Sequence, residues 1–254
     1  MLSYLVYIIA GLGAGVGTGL AGLSAAAVIS PMLITFLDFP AYSAIGIALA
    51  SDVLASAASA WTFYRNKNID LRNGVLMLLS TLLFTMIGSW VASLVPNATM
   101  GSFSVYMTLL LGIKFIVRPV LTTKEKNAAK SARTKAVQSL IAGTVIGFIC
   151  GFIGAGGGMM LLLILTSVLG YELKTAVGTS VFIMSFTALT GAVSHFAIDG
   201  PPDWTALIVC VAATLVGALG AARFANKADT KLLNRITGVV LAALGLAMVL
   251  VKLL

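Results

Sequence analysis

Residues Gly151–Met160 read "GFIGAGGGMM", with five glycines in the eight positions from 151 to 158. They interrupt a stretch, residues 136–171, that contains no charged residue. A soluble chain uses such a turn to cradle phosphate, but the solvent here is different. Of the 254 residues, 59% are hydrophobic and 9% charged, and the mean hydropathy is +1.06. A soluble domain carries about 25% charged residues. This inventory cannot make a water-facing surface, so the chain reads as an integral membrane protein. The apolar runs are unbroken rather than alternating, which favours helices over a barrel.

Charge divides the chain further. Residues 1–37, 73–113, 136–171, 204–222 and 236–251 are free of it. Ordinary spans are expected near 41–63, 74–95, 100–118, 174–196, 204–223 and 235–252, each about the 20 residues that a 30 Å core requires. Residues 2–37 and 138–169 are too long for one straight span, exceeding about 45 Å at 1.5 Å per residue. Each is expected to bend in its glycine-rich stretch, "GLGAGVGTGLAG" (11–22) or "GFIGAGGG" (151–158). The first 37 residues hold no Lys or Arg, so they lack the basic region of a cleaved signal. Cys150 and Cys210 lie in apolar runs and read as small core residues. The net charge of +8 sits in short loops between spans, where it sets orientation and gives no reason to expect nucleic acid.

The chain also repeats. At a constant offset of 132, Gly11 falls on Gly143, Gly15 on Gly147, Gly19 on Gly151 and Gly22 on Gly154. The register continues through Gly46/Gly178, Ala60/Ala192 and Gly88/Gly220. Equivalent loops differ in charge: "RNKNIDLR" (65–72) is basic and its counterpart "DGPPD" (199–203) acidic, while "PNATMG" (96–101) is neutral and "RFANKADTKLLNR" (223–235) basic. Lys and Arg stay cytoplasmic, so equivalent loops are expected on opposite faces. The expected architecture is therefore an all-α integral membrane protein of two inverted structural repeats. Each is a Gly-broken segment, re-entrant or discontinuous, plus three transmembrane helices. Residues 1–119 form the first repeat, 120–136 a basic cytoplasmic linker and 137–254 the second. Inverted repeats with interrupted helices point to a secondary transporter. A break inside lipid frees backbone N–H groups that can meet an anion. Close packing by small-xxx-small spacing is the competing account, above all for Gly11, Gly15 and Gly19.

"GFICGFIGAGGGMMLLLIL" (147–165), followed by "YELKTAVGTSVF" (171–182), resembles the sulfite exporter TauE/SafE family of membrane permeases. Its AxGTS element is Ala176, Gly178, Thr179 and Ser180 here, and "AIGIALAS" (44–51) stands at matching positions of the first half. The resemblance implies a permease that moves sulfite or an organosulfonate-type anion across the plasma membrane without ATP, and no enzyme. The first half departs from the pattern, with Ser24-Ala25-Ala26 where glycines are common and Ile47-Ala48 opposite Thr179-Ser180. An asymmetric pocket is the expectation. Its candidate substrate contacts are Gly22, Ser24, Gly154, Gly156, Gly157, Gly158, Thr179 and Ser180.

Asp52 is the one formally charged side chain near the middle of an expected span, where a carboxylate costs at least about 2.5 kcal/mol unless protonated, paired or hydrated. It is a candidate proton carrier, or else a structural carboxyl bonded to Ser51, Ser56 or a facing helix. Its counterpart is Met184. His195 is read as an interfacial histidine or a proton relay. Lys174 reads as a snorkelling interfacial lysine or an attractor of anions at a gate. The sequon at Asn97 lies in a loop too short for ready glycosylation. No cofactor and no metal site are expected. The partners are a small anion, the bilayer and, as candidate coupling ion, protons, with oligomeric state left open. A cation or metal transporter is the alternative, weakened by the single intramembrane carboxylate. A non-transporting membrane scaffold would need no break in both halves.

Overall fold

The computed structural model describes residues 2–96, 132–153, 157–171 and 173–227, with isolated positions at 110, 113, 117, 229, 232, 235, 239, 242, 243, 246 and 250. The described residues form helices and contain no strand. The first apolar segment holds α1 (Leu2–Ala21), a short 3-10 turn (Ala25–Ala27) and α2 (Ile29–Leu37). Next come α3 (Ala41–Arg65) and α4 (Leu71–Ser93). The second segment holds α5 (Ala132–Ile153), α6 (Gly157–Leu163) and a π-helical turn (Ile164–Val168). After it run α7 (Leu173–Asp199) and α8 (Trp204–Lys227). Six of these helices (α1, α3, α4, α5, α7 and α8) are long and apolar enough to cross a membrane. The spans expected at 100–118 and 235–252 lie almost wholly outside the described residues.

Both long segments bend, but not at every glycine. Gly11, Gly15, Gly17 and Gly19 stay inside α1, and the helix gives way only at Gly22. Gly22 has φ +64, a conformation that costs other L-residues about 1 kcal/mol or more. Ser24 then caps the following turn, its Oγ accepting from the Ala26 amide at 3.3 Å. The segment doubles back. Tyr7, early in α1, meets Phe39, just beyond α2, edge to face with ring centroids 6.4 Å apart, so the chain leaves the bundle at the end where it entered.

The exit geometry recurs at the offset of 132. Asp38 closes α2 with φ 53, and Gly170 follows the π-turn with φ 75. The Phe39 amide donates to Leu33 O at 3.3 Å, and the Tyr171 amide to Leu165 O at 2.8 Å.

Small residues let two helix pairs touch backbone to backbone. Gly11, Gly15 and Gly19 run in order along Ala213, Ala218 and Ala221 of α8, so α1 and α8 are parallel. Gly143, Gly147 and Gly151 run in order from Met77 and Thr81 to Ser89 of α4, so α5 and α4 are parallel too. These six glycines are packing positions, as the small-xxx-small account has it. α3 and α7 cross in opposite senses: Gly46 faces His195 and Phe196, whereas Gly178 faces Phe63.

These directions sort the ends of the bundle. One end joins the 66–70 loop, the start of α7 and the end of α8, through bonds from Asn68 Nδ2 to Asn226 Oδ1 (3.0 Å), Lys174 Nζ to Asn226 O (2.9 Å) and Tyr171 Oη to Asp70 Oδ2 (2.7 Å). Arg65, Lys67 and Lys227 lie there as well. Residues 38–43 and 196–206 form the opposite end, which carries Asp38, Asp199 and Asp203 and, among the described residues, neither Lys nor Arg. Ser43 bonds Asp199 there.

α5 begins at Ala132, inside the stretch read as linker. Lys174 reaches the basic end of the bundle, where its ammonium donates to the Asn226 carbonyl.

Candidate functional site

The two bends meet. A methyl group on Gly158, in the first turn of α6, would stand 2.9 Å from the Ser24 amide nitrogen and collide with Gly22 O and Met184 Sδ. A methyl on Gly22 would stand 2.5 Å from Ser180 Oγ. The bend of the first half thus packs directly on the helix start of the second. Ser180, from α7, closes the contact and donates to its own helix at Val177 O (2.8 Å). Ser24 and Ser180 are both buried.

Asp52 stands beside this contact with 0% exposure. Its Oδ1 accepts from Ser56 Oγ at 2.8 Å, and Thr18 Oγ1 stands 3.5 Å away. Ser24 and the Ala25 amide lie close to the same carboxyl. Its Oδ2 has no hydrogen-bond partner among the described residues, and neither has Ser59 Oγ two turns further along α3. Met184, the counterpart of Asp52, packs on Gly158 just as Asp52 packs on the Ser24–Ala25 turn. The contact thus has a carboxyl on one side and a thioether on the other.

Gly22, Ser24, Gly158, Ser180 and Asp52 come together in this way, and Gly157 opens α6 beside them. Gly154 and Gly156 lie outside the described residues. Thr179 points elsewhere, accepting from the Asp70 amide at 3.0 Å at the basic end. His195 also stands apart from the contact and is fully buried among the helices. Its Nδ1 lies 3.2 Å from Tyr42 O and its Nε2 3.0 Å from Gly151 O. Its ring stacks on Tyr42 with centroids 4.1 Å apart. Burial follows from the α3–α7 crossing at Gly46, which a sequence reading of the helix end does not reveal.

Thr18 and Tyr42 were not singled out by the sequence. Thr18 carries a faint signal, a polar residue one turn before the bend, and Tyr42 carries none. Among the described residues no three His, Cys, Asp or Glu side chains gather as metal ligands would. Cys150 and Cys210 are buried free thiols. An apolar groove lined by Trp61, Tyr64, Phe182 and Phe186 opens on the outside of the bundle and suits lipid better than an anion.

The candidate site therefore pairs two bends inside an apolar helical bundle, with buried hydroxyls and backbone and, among the described residues, no buried Arg or Lys. The family model described as sulfite exporter TauE/SafE matches residues 7–248. The chain belongs to that family. Its relatives include the probable membrane transporter protein YunE of Bacillus subtilis, 28% identical over 96% of both chains. The probable membrane transporter protein YdhB of the same organism is 23% identical over 84% of this chain and 86% of its own. YfcA of Escherichia coli, described in the same words, is 24% identical over 82% of this chain and 79% of its own. Family membership makes the chain a multi-pass membrane transporter of the plasma membrane and not an enzyme.

Proposed function

We propose that the chain is a secondary permease that moves a small anion, sulfite or an organosulfonate-type sulfur anion, by alternating access. The observation that carries this reading is the contact of the two bends, Gly22 and Ser24 against Gly158. Backbone polar groups inside lipid are tolerated where they are buried in protein or line a wet cavity. Here they converge from both halves on one point, so a small relative rotation of the halves exposes that point to either side. The family name supports the substrate class. The anion is held by backbone amides at the start of α6, with Gly154, Gly156 and Gly157, and by the Ser24 and Ser180 hydroxyls. Thr179 supports the site by fixing the 66–70 loop.

The halves, 1–119 and 137–254 joined by the 120–136 linker, are inverted repeats in this reading. The antiparallel crossing of the equivalent helices α3 and α7 supports inversion, as does the gathering of Lys and Arg at one end. Asp52 and His195 are the titratable groups available to couple transport to protons.

A panel of small anions scored by thermal shift on the purified protein tests the reading. Stabilisation by sulfite or a sulfonate is expected, and Gly157→Leu is expected to abolish it while the protein stays monodisperse. No stabilisation by any anion, or normal binding and transport by Gly157→Leu, would remove the site from the bends. The fully buried Asp52 carboxyl favours a second reading, a bound cation. Running the panel in sodium and in choline separates the two.

A further inference from the structure

We propose that His195 is a proton-binding site that latches α3 to the last turn of α5, and that its proton is exchanged in the transport cycle alongside that of Asp52. The inference rests on the permease reading and names the atoms that carry its coupling. A neutral imidazole has one N–H and one bare nitrogen, whereas an imidazolium has two N–H groups. Both nitrogens of His195 face carbonyl oxygens, Tyr42 O at 3.2 Å and Gly151 O at 3.0 Å. A neutral ring satisfies one of these contacts and turns a lone pair toward the other oxygen. A protonated ring donates to both.

The two carbonyls belong to elements that alternating access must move apart. Tyr42 lies in the first turn of α3, and Gly151 lies three residues before the second bend. The ring is clamped by its stacking on Tyr42, whose hydroxyl donates to Ser89 O at 3.0 Å. Ser89 Oγ in turn reaches Gly151 O at 3.4 Å. The imidazole thus joins α3, α5 and α7, and Ser89 ties α4 to the same carbonyl.

The charged and titratable groups around the ring are few. Asp199, one turn further along α7, is the carboxylate whose field reaches it, and that carboxylate accepts from Ser43 of α3. α3 also contributes Tyr42, with Asp52 about 9 Å beyond Gly46 along the helix at 1.5 Å per residue. α5 contributes the Cys150 thiol beside Gly151. α4 presents the Ser89 hydroxyl there. In the cycle, the bare nitrogen takes a proton from water when its side of the bundle opens, forming the second N–H···O bond. The proton returns to water on the opposite side when that bond breaks. In the first half Phe63 stands where His195 stands in the second, so the latch is single.

Because the chain contains one histidine, 15N-histidine labelling of the full-length protein in lipid nanodiscs reports this ring alone. The expected spectrum shows two N–H nitrogens at low pH and one bare nitrogen at high pH, joined by a single titration step. Saturating sulfite is expected to move the midpoint by about half a pH unit or more, roughly a threefold change in proton affinity, since binding linkage is reciprocal. One neutral tautomer throughout would overturn the proton site, and a midpoint unmoved by bound sulfite would overturn its coupling. Thermal shift on the same samples reads sulfite binding separately, so failure of the latch is distinguishable from failure of the permease reading.

Discussion

Asparagine at position 52 keeps the shape of the carboxyl and an acceptor for Ser56 but cannot titrate. Asp52→Asn is therefore expected to retain anion binding while losing pH-gradient-driven flux, measured in proteoliposomes with counterflow exchange as the control. Gradient-driven flux equal to wild type would leave Asp52 a structural carboxyl. Two adjacent hydroxyls should separate more sharply. Ser180 lies against Gly22, whereas the Thr179 hydroxyl is committed to the Asp70 amide. Ser180→Ala is expected to weaken anion binding by up to about 3 kcal/mol for a bond to a charged ligand. Thr179→Val should instead cost about 0.5–1.5 kcal/mol of stability, with binding unchanged. Calorimetric titration and thermal unfolding of both variants give the comparison, and the reverse pattern would move the anion toward Thr179.

At the level of the helices, glycine spacing does more packing than bending. Gly217 and Gly220 lie three residues apart on α8, yet a methyl on Gly217 would stand 2.7 Å from Leu12 O, and one on Gly220 meets nothing within 4 Å. Gly217→Ala is expected to destabilise by about 1–3 kcal/mol through overpacking. Gly220→Ala should be neutral or slightly stabilising, because alanine is the better helix former. Thermal unfolding in one detergent decides, and equal effects would mean that α1 and α8 do not pack as described. The same distinction explains what sequence could and could not show about the bends. Overlong apolar segments and clustered glycines announced a bend in each half. Its position at Gly22 in the first half was hidden, because Gly11, Gly15 and Gly19 are equally permissive yet stay helical where they pack on α8.

For the whole molecule, the prediction concerns sidedness. Cysteines placed at 66–68 and at 227 or 229 should be labelled from the cytoplasmic side, and cysteines at 199–203 from outside, by an impermeant maleimide. Cys150 and Cys210 are buried, so the background should be low. Labelling of 227 and 199 from the same side would contradict the crossing of α8 between them and the ends it assigns. The sequence by itself determined the solvent, since 9% charge can be dissolved only in lipid, and it determined the helical class, the two long segments that must bend and the family. The first three follow from composition or from spacing along one chain, and the family from the resemblance of residues 147–182 to known permeases. Tertiary structure alone decided which residues meet. The contact of Gly22 and Ser24 with Gly158, the placing of Thr179 on Asp70 and the burial of His195 between Tyr42 and Gly151 join residues 44 to 153 positions apart. No local pattern encodes such meetings, because they depend on how helix faces pack, and side-chain period alone leaves that undetermined.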